Sequence, residues 1–426
     1  MLFKILTDTS TFYYDNMTNI ISDSNKNPID LSYYSMVIKH KPENRIMPFD
    51  FSDEQYPYPK KDKLIKQLKI QLGTNCNQHC AYCIQATGNY KTTRIPNKDD
   101  IDRFFAMLDD SGIQLVDYPK IHFWGGEPLV YWKTLLILIP EIRKRWPNAK
   151  LWFVSNGTLI NQNKLDFLID NSVELAFSHD GTAQSLRGYN PFNDLNLLKM
   201  WQTTVETYQK NQLSFRLNVV LNEHNADLFE LDKYFVNYLG SDIYYKYEDV
   251  VIAHSPNAVQ FTKFSKQAEQ ILCDSVEKAL CSYAVGANTR ISNALYGIST
   301  DFIRRLVYRV PADAIRAKCN AVDSDVLSVD LMTGNVLSCH NVTQDWTMGS
   351  LLDYNNIKVD KFRHWSLRQN CPNCPYLSVC SGSCARNNDE LHRYSCNGRI
   401  ILSKVVFNAV FKILFNCRVK EIMPYV

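Results

Sequence analysis

The sequence lacks any run of about 18 uncharged apolar residues, the length a membrane-spanning helix needs. Its start, Met1-Leu2-Phe3-Lys4-Ile5-Leu6-Thr7-Asp8, turns polar too soon for a secretory signal peptide. Neither sign of charge dominates. A net charge of +3 over 426 residues is too small to imply nucleic acid or a membrane surface as partner. An even disulfide framework is also missing: the 13 cysteines are odd in number, and ten of them fall in two groups with metal-type spacings. A reducing cytoplasm is the compartment that fits. The length allows two or three domains.

Along the chain, residues 1–66 form an N-terminal arm or a small peptide-recognition segment. Stretches 3–6 and 33–38 read as short strands on either side of a turn-rich loop at 22–28. From 67 to 250 strand and helix patterns alternate. Strands are expected at 68–72, 121–124, 151–155, 173–178, 215–221 and 243–247. Helices are expected at 99–108 (with Asn97 as N-cap), 132–146, 162–170, 196–208 and 226–238. Repeated βα units predict a parallel sheet. Six are too few for a closed eight-stranded barrel, so the α/β fold expected is a partial (β/α)6 TIM-type barrel with its site at the strand C-termini. Residues 251–318 read as a helical bridge whose Cys273 and Cys281 are small core residues. Residues 319–398 are cysteine-rich, with little helical periodicity, and call for metal or cross-links to fold. Residues 399–426 carry a last helix, 400–415. Its polar line Lys404, Asn408, Lys412, Asn416 leaves a wide apolar face to dock on the body.

Three groups of residues carry chemistry. Cys76, Cys80 and Cys83 lie at CxxxCxxC spacing just after the first barrel strand. Three close thiolates suit a soft metal centre, and a [4Fe–4S] cluster on three protein ligands keeps one iron open for a small molecule. A zinc knuckle or three buried thiols would explain the cysteines alone. The second strand runs into Gly125-Gly126-Glu127-Pro128, where glycines admit close approach of a ligand and a carboxylate can accept from an amine. The third ends Ser155-Asn156-Gly157-Thr158-Leu159 and the fourth Ser178-His179-Asp180-Gly181, both in the layer where such barrels keep their sites. The C-terminal cysteines read C-x14-G-x4-C from Cys319 through Gly334 to Cys339, then C-x2-C-x5-C-x3-C over Cys371, Cys374, Cys380 and Cys384, then Cys396. A zinc ribbon accounts for part of that pattern only.

CxxxCxxC, Gly-Gly-Glu-Pro and the two later strand ends resemble the radical S-adenosylmethionine (SAM) superfamily. The seven C-terminal cysteines resemble its SPASM auxiliary-cluster domain, found in peptide-modifying members. The resemblance covers roughly residues 67–400. It implies a [4Fe–4S] cluster on Cys76, Cys80 and Cys83. It places SAM among Tyr82, Gly125, Gly126, Glu127, Pro128, Asn156, Ser178 and Arg187. Two auxiliary Fe–S clusters are implied: an outer one on Cys371, Cys374, Cys380 and Cys396, and an inner one on Cys319, Cys339 and Cys384. The inner cluster has no evident fourth ligand, with Cys281 and Cys417 as candidates.

The implied activity is reductive cleavage of SAM to a 5′-deoxyadenosyl radical. That radical takes hydrogen from a ribosomally made precursor peptide, and an oxidative side-chain cross-link (C–C or ether) follows, as in cyclophane and darobactin-type synthases. The implied partners are that peptide and an electron donor such as flavodoxin or ferredoxin. Formylglycine formation, the sulfatase-maturation branch, commonly has an Asp after the cysteine matching Cys339; here His340 stands there. Epimerisation would need a cysteine donor, Cys273 or Cys281, lining the barrel. A scaffold with structural zinc is the non-enzymatic alternative. His340 and Asp180 are candidate bases. An imidazole with an unperturbed pKa of about 6.5 suits proton transfer near neutrality, while a hydrogen bond supporting the cluster loop is the structural reading of His340.

Overall fold

The computed structural model describes residues 1–37, 60–87, 94–284, 289–312, 318–339, 341, 346–357 and 364–425. Strands β1 (Leu2–Thr7), β2 (Thr11–Asp15) and β3 (Ile20–Ser22) form an antiparallel meander. The barrel then runs β4 (Leu64–Gln71), α1 (Lys98–Asp110), β5 (Gln114–Trp124), α2 (Trp132–Arg145), β6 (Lys150–Ser155), α3 (Gln162–Asp170), β7 (Val173–Ser178), α4 (Leu195–Lys210), β8 (Phe215–Leu221), α5 (Leu228–Leu239) and β9 (Tyr245–Val250). Neighbours from β4 to β9 pair in parallel and in chain order.

Local signals start these helices. Asn97 and Asp100 exchange a capping box, with Asp100 N donating to Asn97 Oδ1 at 3.1 Å and Asn97 N to Asp100 Oδ2 at 2.9 Å. Asp194 and Asp227 cap α4 and α5 the same way from one side. The period-2 pattern then splits each strand. Leu68, Ile70, Phe123, Leu151, Phe153, Leu175, Phe177, Leu217 and Val219 are fully or almost fully buried in the helix-covered core. The alternate positions, with Lys69, His122, Trp152, Arg216 and Asn218, face the inner wall.

Beyond the barrel come α6 (Lys266–Ala284), α7 (Arg290–Val307), β10 (Val326–Asp330), β11 (Asn335–Leu337), β12 (Thr347–Ser350), α8 (Leu377–Cys380), α9 (Asp389–Phe415) and β13 (Val419–Pro424). Here the structure departs from the sequence expectations. β10 pairs in parallel with β4, from Val326↔Gln67 to Asp330↔Gln71, and β11 and β12 follow antiparallel. The cysteine-rich region therefore extends the barrel sheet, in the order β12-β11-β10-β4-β5-β6-β7-β8-β9. β13 returns to pair with β1, so the two chain ends share a second, four-stranded sheet.

The strand expected at 33–38 is instead a 3-10 turn, Ser32–Val37, with residue 38 outside the described set. The Asp30 carboxylate accepts from Ser32 N at 2.9 Å and its hydroxyl at 3.0 Å, which starts a helical turn. The last helix begins at Asp389 rather than 400. Asn388 caps it by accepting from Leu391 N at 2.8 Å, so Cys396 sits on the helix. Its polar line is only partly wet, because Lys404 reaches Glu269 on α6 at 2.9 Å and Lys412 pairs with Glu277. Among the described residues no helix is long and apolar enough to cross a membrane.

Candidate active site and cysteine groups

The loop after β4 carries Cys76, Cys80 and Cys83 and is bonded to the Gly-Gly-Glu-Pro turn after β5. Gly126 N donates to Gly73 O at 3.1 Å, Glu127 N to Asn75 O at 2.9 Å, and the Tyr131 hydroxyl accepts from Asn75 N at 2.7 Å. A Cβ on Gly126 would lie 2.2 Å from Asn75 O, and one on Gly125 2.8 Å from Gly73 O. The glycines expected to admit a ligand are thus required by the chain's own cysteine loop.

Glu127 also differs from expectation. Its buried carboxylate accepts from Leu129 N (2.9 Å) and Ser155 Oγ (2.7 Å) on one oxygen and from Asn156 N (2.7 Å) on the other. Burial raises its pKa against these three bonds. It joins the ends of β5 and β6 instead of facing outward for an amine. Pro128, also buried, opens the short turn that follows. Asn156 donates from Nδ2 to Asn77 Oδ1 at 2.9 Å, and Asn77 donates to Thr158 Oγ1 at 2.8 Å. Asn77, inside the cysteine loop, is therefore tied to the end of β6. That link was invisible in sequence because its partners lie about eighty positions away.

Tyr82, Asp180 and Arg187 come together. The Tyr82 hydroxyl donates to Asp180 Oδ2; Arg187 Nε stands 3.0 Å from Asp180 Oδ1, which also accepts from Val220 N at 2.9 Å. The guanidinium carbon lies 5.5 Å from the Tyr82 ring centroid, and Ala81 N donates to Leu186 O at 2.8 Å. Asp180 is fully buried and the Arg187 side chain is 11% exposed. Asp180, expected as a candidate base, has both oxygens engaged, Oδ2 by Tyr82 of the cysteine loop and Oδ1 by Val220 N on β8 beside Arg187. His340, the other candidate, lies outside the described residues. Ser178 is half-buried at the end of β7, in register with Asn218, and its hydroxyl has no partner among the described residues.

The thiols and their surroundings fit a cluster. Desolvation pushes the Cys76 thiol up to about 11 and raises Cys80, and a bound metal would lower both by stabilising the thiolates. Beside them both amide atoms of Gln78 are buried without a partner, polar capacity that sequence reading passed over. Further along, Cys371, Cys374, Cys380 and Cys396 line one cavity of about 280 Å³. His392 Nε2 approaches Cys371 Sγ there at 3.6 Å. Burial pushes Cys371 and Cys374 to about 12. Cys319, Cys339 and Cys384 form a separate group whose mutual field raises Cys339 and Cys384 further, after burial.

The second group stands against β4. Lys69 Nζ donates to Asn320 Oδ1 at 2.8 Å and lies in the field of Cys319 and Cys339. Among the described residues no three His, Cys, Asp or Glu side chains close on a single metal ion. Cys273 and Cys281 lie on α6 near Lys404 and Lys412, and Cys417 lies near Thr7 and Asp8. None of the three is brought to the barrel or to the inner group.

Comparison with known proteins places this geometry. The model of the radical SAM superfamily matches residues 70–230. A radical SAM cyclopropyl synthase of Paramaledivibacter caminithermalis is 24% identical over 339 residues, 75% of this chain and 68% of that protein. A serine-type anaerobic sulfatase-maturating enzyme of Bacteroides thetaiotaomicron is 21% identical over 361 residues, 74% of this chain and 81% of that protein. Other curated matches span from 16% to 52% of their own length. Among solved structures, native anSMEcpe with bound AdoMet and Cp18Cys peptide shares the fold, with a TM-score of 0.57 at 16% identity over 83% of this chain and 99% of that one. Residues 70–230 are a radical SAM domain, which implies SAM and a [4Fe–4S] cluster, and a cysteine-rich, SPASM-type region is built onto its barrel; the protein is an enzyme.

Proposed function

We propose that this enzyme modifies a ribosomally made precursor peptide by closing an oxidative bond between side chains, C–C or ether. The observation that carries the reading is the inner cysteine group, Cys319, Cys339 and Cys384, set against Lys69 on the barrel's first strand. SAM and its cluster supply, when bound, a reductively generated radical that removes hydrogen from an unactivated carbon. Closing a bond between two side chains releases two hydrogens. One leaves as an atom; the other must leave as a proton and an electron. The inner cysteines would hold the group that accepts this electron, and Cys371, Cys374, Cys380 and Cys396 an outer group that passes it on. The one-electron supply to the SAM site is external, of flavodoxin or ferredoxin type.

Cys76, Cys80 and Cys83 hold the SAM-site cluster. Ser178 and Gln78, whose polar atoms are unspent, are assigned direct contacts to SAM. Glu127 and Asp180 act through what they position: Glu127 through Ser155 and Asn156, Asp180 through Tyr82 and Arg187. The peptide substrate is supported by the bound peptide in the anSMEcpe structure, and ring closure by the name of the cyclopropyl synthase relative. A second reading, side-chain oxidation of a protein, is supported by the sulfatase-maturating relative. It requires a base after Cys339, where His340 stands.

The test is anaerobic incubation of reconstituted enzyme, SAM and reductant with the small peptide encoded beside its gene. Loss of two hydrogens per bond with stoichiometric 5′-deoxyadenosine is the expected result. An aldehyde on the product selects the second reading, and deoxyadenosine with an unchanged peptide mass removes the cross-link.

A further inference from the structure

The sheet register places a polar ladder on the inner wall of the barrel. Lys69 on β4 stands beside His122 on β5, and His122 beside Trp152 on β6; Ala176 on β7 stands beside Arg216 on β8. The His122 and Trp152 rings stack with centroids 3.3 Å apart and planes within 20°. Trp124 Nε1 donates to His122 Nδ1 at 2.8 Å, which fixes the imidazole under the indole. Arg216 completes the ladder. Its guanidinium carbon lies 5.1 Å from the Trp152 ring centroid, and its Nε donates to Asn218 Oδ1 at 3.1 Å.

The guanidinium is therefore held at one face and at one nitrogen. Among the described residues its two terminal nitrogens have no partner, and no carboxylate forms an ion pair with it. Glu174, in register with Trp152 on the adjacent β7, forms no ion pair with Arg216 among the described residues, and Glu248 on the neighbouring β9 pairs with Lys246 at 3.7 Å. Arg216 is half-buried. A half-buried cation without a counter-charge carries a desolvation cost, yet the surrounding residues orient this one and leave it un-neutralised. A planar fork with both terminal nitrogens free matches a carboxylate, accepted through two parallel N–H···O bonds.

We propose that Arg216 is a specificity-determining residue that receives a carboxylate of the peptide substrate on the inner wall, with Trp152 and His122 as the floor beneath it. The carboxylate is an acidic side chain next to the modified residue or the peptide's own C-terminus. This inference rests on the peptide-modifying reading and narrows its substrate.

The experiment measures calorimetric binding to the reconstituted full-length enzyme with SAM present. Three N-acetylated dipeptides serve as probes: a tyrosyl-glutamate amide, a tyrosyl-glutamine free acid and a tyrosyl-glutamine amide. At least one of the two carboxylate probes is expected to bind about 10-fold tighter than the neutral amide, about 1.4 kcal/mol, and which one does names the source. Arg216→Met is expected to abolish the preference and Arg216→Lys to keep part of it, with iron content and thermal unfolding confirming that each variant is folded. Equal binding of all three probes, no binding at millimolar concentration, or a preference that survives in Arg216→Met overturns the proposal. Should Arg216→Met fail to fold, Arg216→Gln gives the same reading. SAM cleavage to 5′-deoxyadenosine is followed on the same preparations. Carboxylate preference without SAM cleavage would leave the subsite standing and remove the radical reading, and the converse would remove only the subsite.

Discussion

Replacing Asp180 by Asn separates a residue that positions the cofactor site from one that moves a substrate proton. The amide keeps the shape. Its oxygen can still accept from Val220 N and stay beside Arg187 Nε, and the Tyr82 hydroxyl can turn to accept from the new NH₂. What disappears is the negative charge beside Arg187. Removing one partner of a buried ion pair costs about 3–5 kcal/mol. The Arg187 side chain retains 11% exposure, so water recovers part of this, and about 3 kcal/mol, roughly 100-fold, is the expected penalty. It falls on the cysteine loop, because Tyr82 is bonded to Asp180 and Ala81 N to Leu186 O.

The assay follows SAM affinity, 5′-deoxyadenosine and peptide product together. Asp180→Asn should weaken SAM binding by about two orders of magnitude while the ratio of product to deoxyadenosine holds at saturating SAM. Tyr82→Phe removes one hydrogen bond to a charged acceptor, about 1.5–3 kcal/mol, and should affect the same quantity. In the double variant the two losses should fall short of additive, because they share one network. A full rate of deoxyadenosine formation with normal SAM affinity and no product would refute this reasoning and restore Asp180 as the base.

Gly126→Ala forces a Cβ to within 2.2 Å of Asn75 O; the loop must retreat, and a displacement near 1 Å should lower SAM cleavage roughly 100-fold with the auxiliary iron retained. Asn16 is fully buried and donates from Nδ2 to the carbonyls of Pro372 and Cys374, both at 2.9 Å. Asn16→Ala should therefore cost about 1–3 kcal/mol around the outer cysteine cavity and lower iron and sulfide by one cluster's worth, while an unchanged metal content would show that the N-terminal sheet has no part in that site. Cys339→Ala removes a ligand of the proposed electron acceptor. It should leave deoxyadenosine formation in place while product is lost, whereas equal loss of both would assign the inner cysteines a structural role.

The sequence and the structure agree where one local signal decides an element. Asn97 and its acids start α1, and strand alternation sets which face of β4 to β9 meets the helices. The resemblance to the SPASM domain groups Cys371, Cys374, Cys380 and Cys396, and all four line one cavity. What escaped depends on partners far along the chain. The run from Val326 to Asp330 is short enough to be a loop in a glycine- and cysteine-rich stretch, and only β4, more than 250 positions earlier, makes it a strand. Asn388, Asp389 and Glu390 carry the start signal of α9, but they stand among cysteines whose spacing equally suits a metal loop. Glu127 and Asp180 show the same limit at side-chain level. Sequence marks a carboxylate at a site, but whether it faces a ligand or a neighbouring strand depends on donors such as Asn156 N and Val220 N that only the fold supplies.

The parallel junction of β10 with β4 also bears on how two groups of cysteines can serve one reaction. β4 ends in the loop of Cys76, Cys80 and Cys83, and β10 follows Cys319 and leads through β11 to Cys339. Because the strands run side by side in register over five residues, the loop that opens one and the loop that closes the other are fixed by the same ladder of backbone hydrogen bonds. A hinged domain would let that separation fluctuate; a shared sheet does not. Electron transfer to an acceptor held by Cys319, Cys339 and Cys384 depends on such a constant separation. Lys69, projecting from β4, donates to Asn320 Oδ1 next to Cys319 and so ties the inner group to that strand. The pairing of β10 with β4 therefore does for the proposed chemistry what the cysteines alone cannot: it keeps the site where hydrogen is taken and the site where the electron is received at one distance throughout turnover.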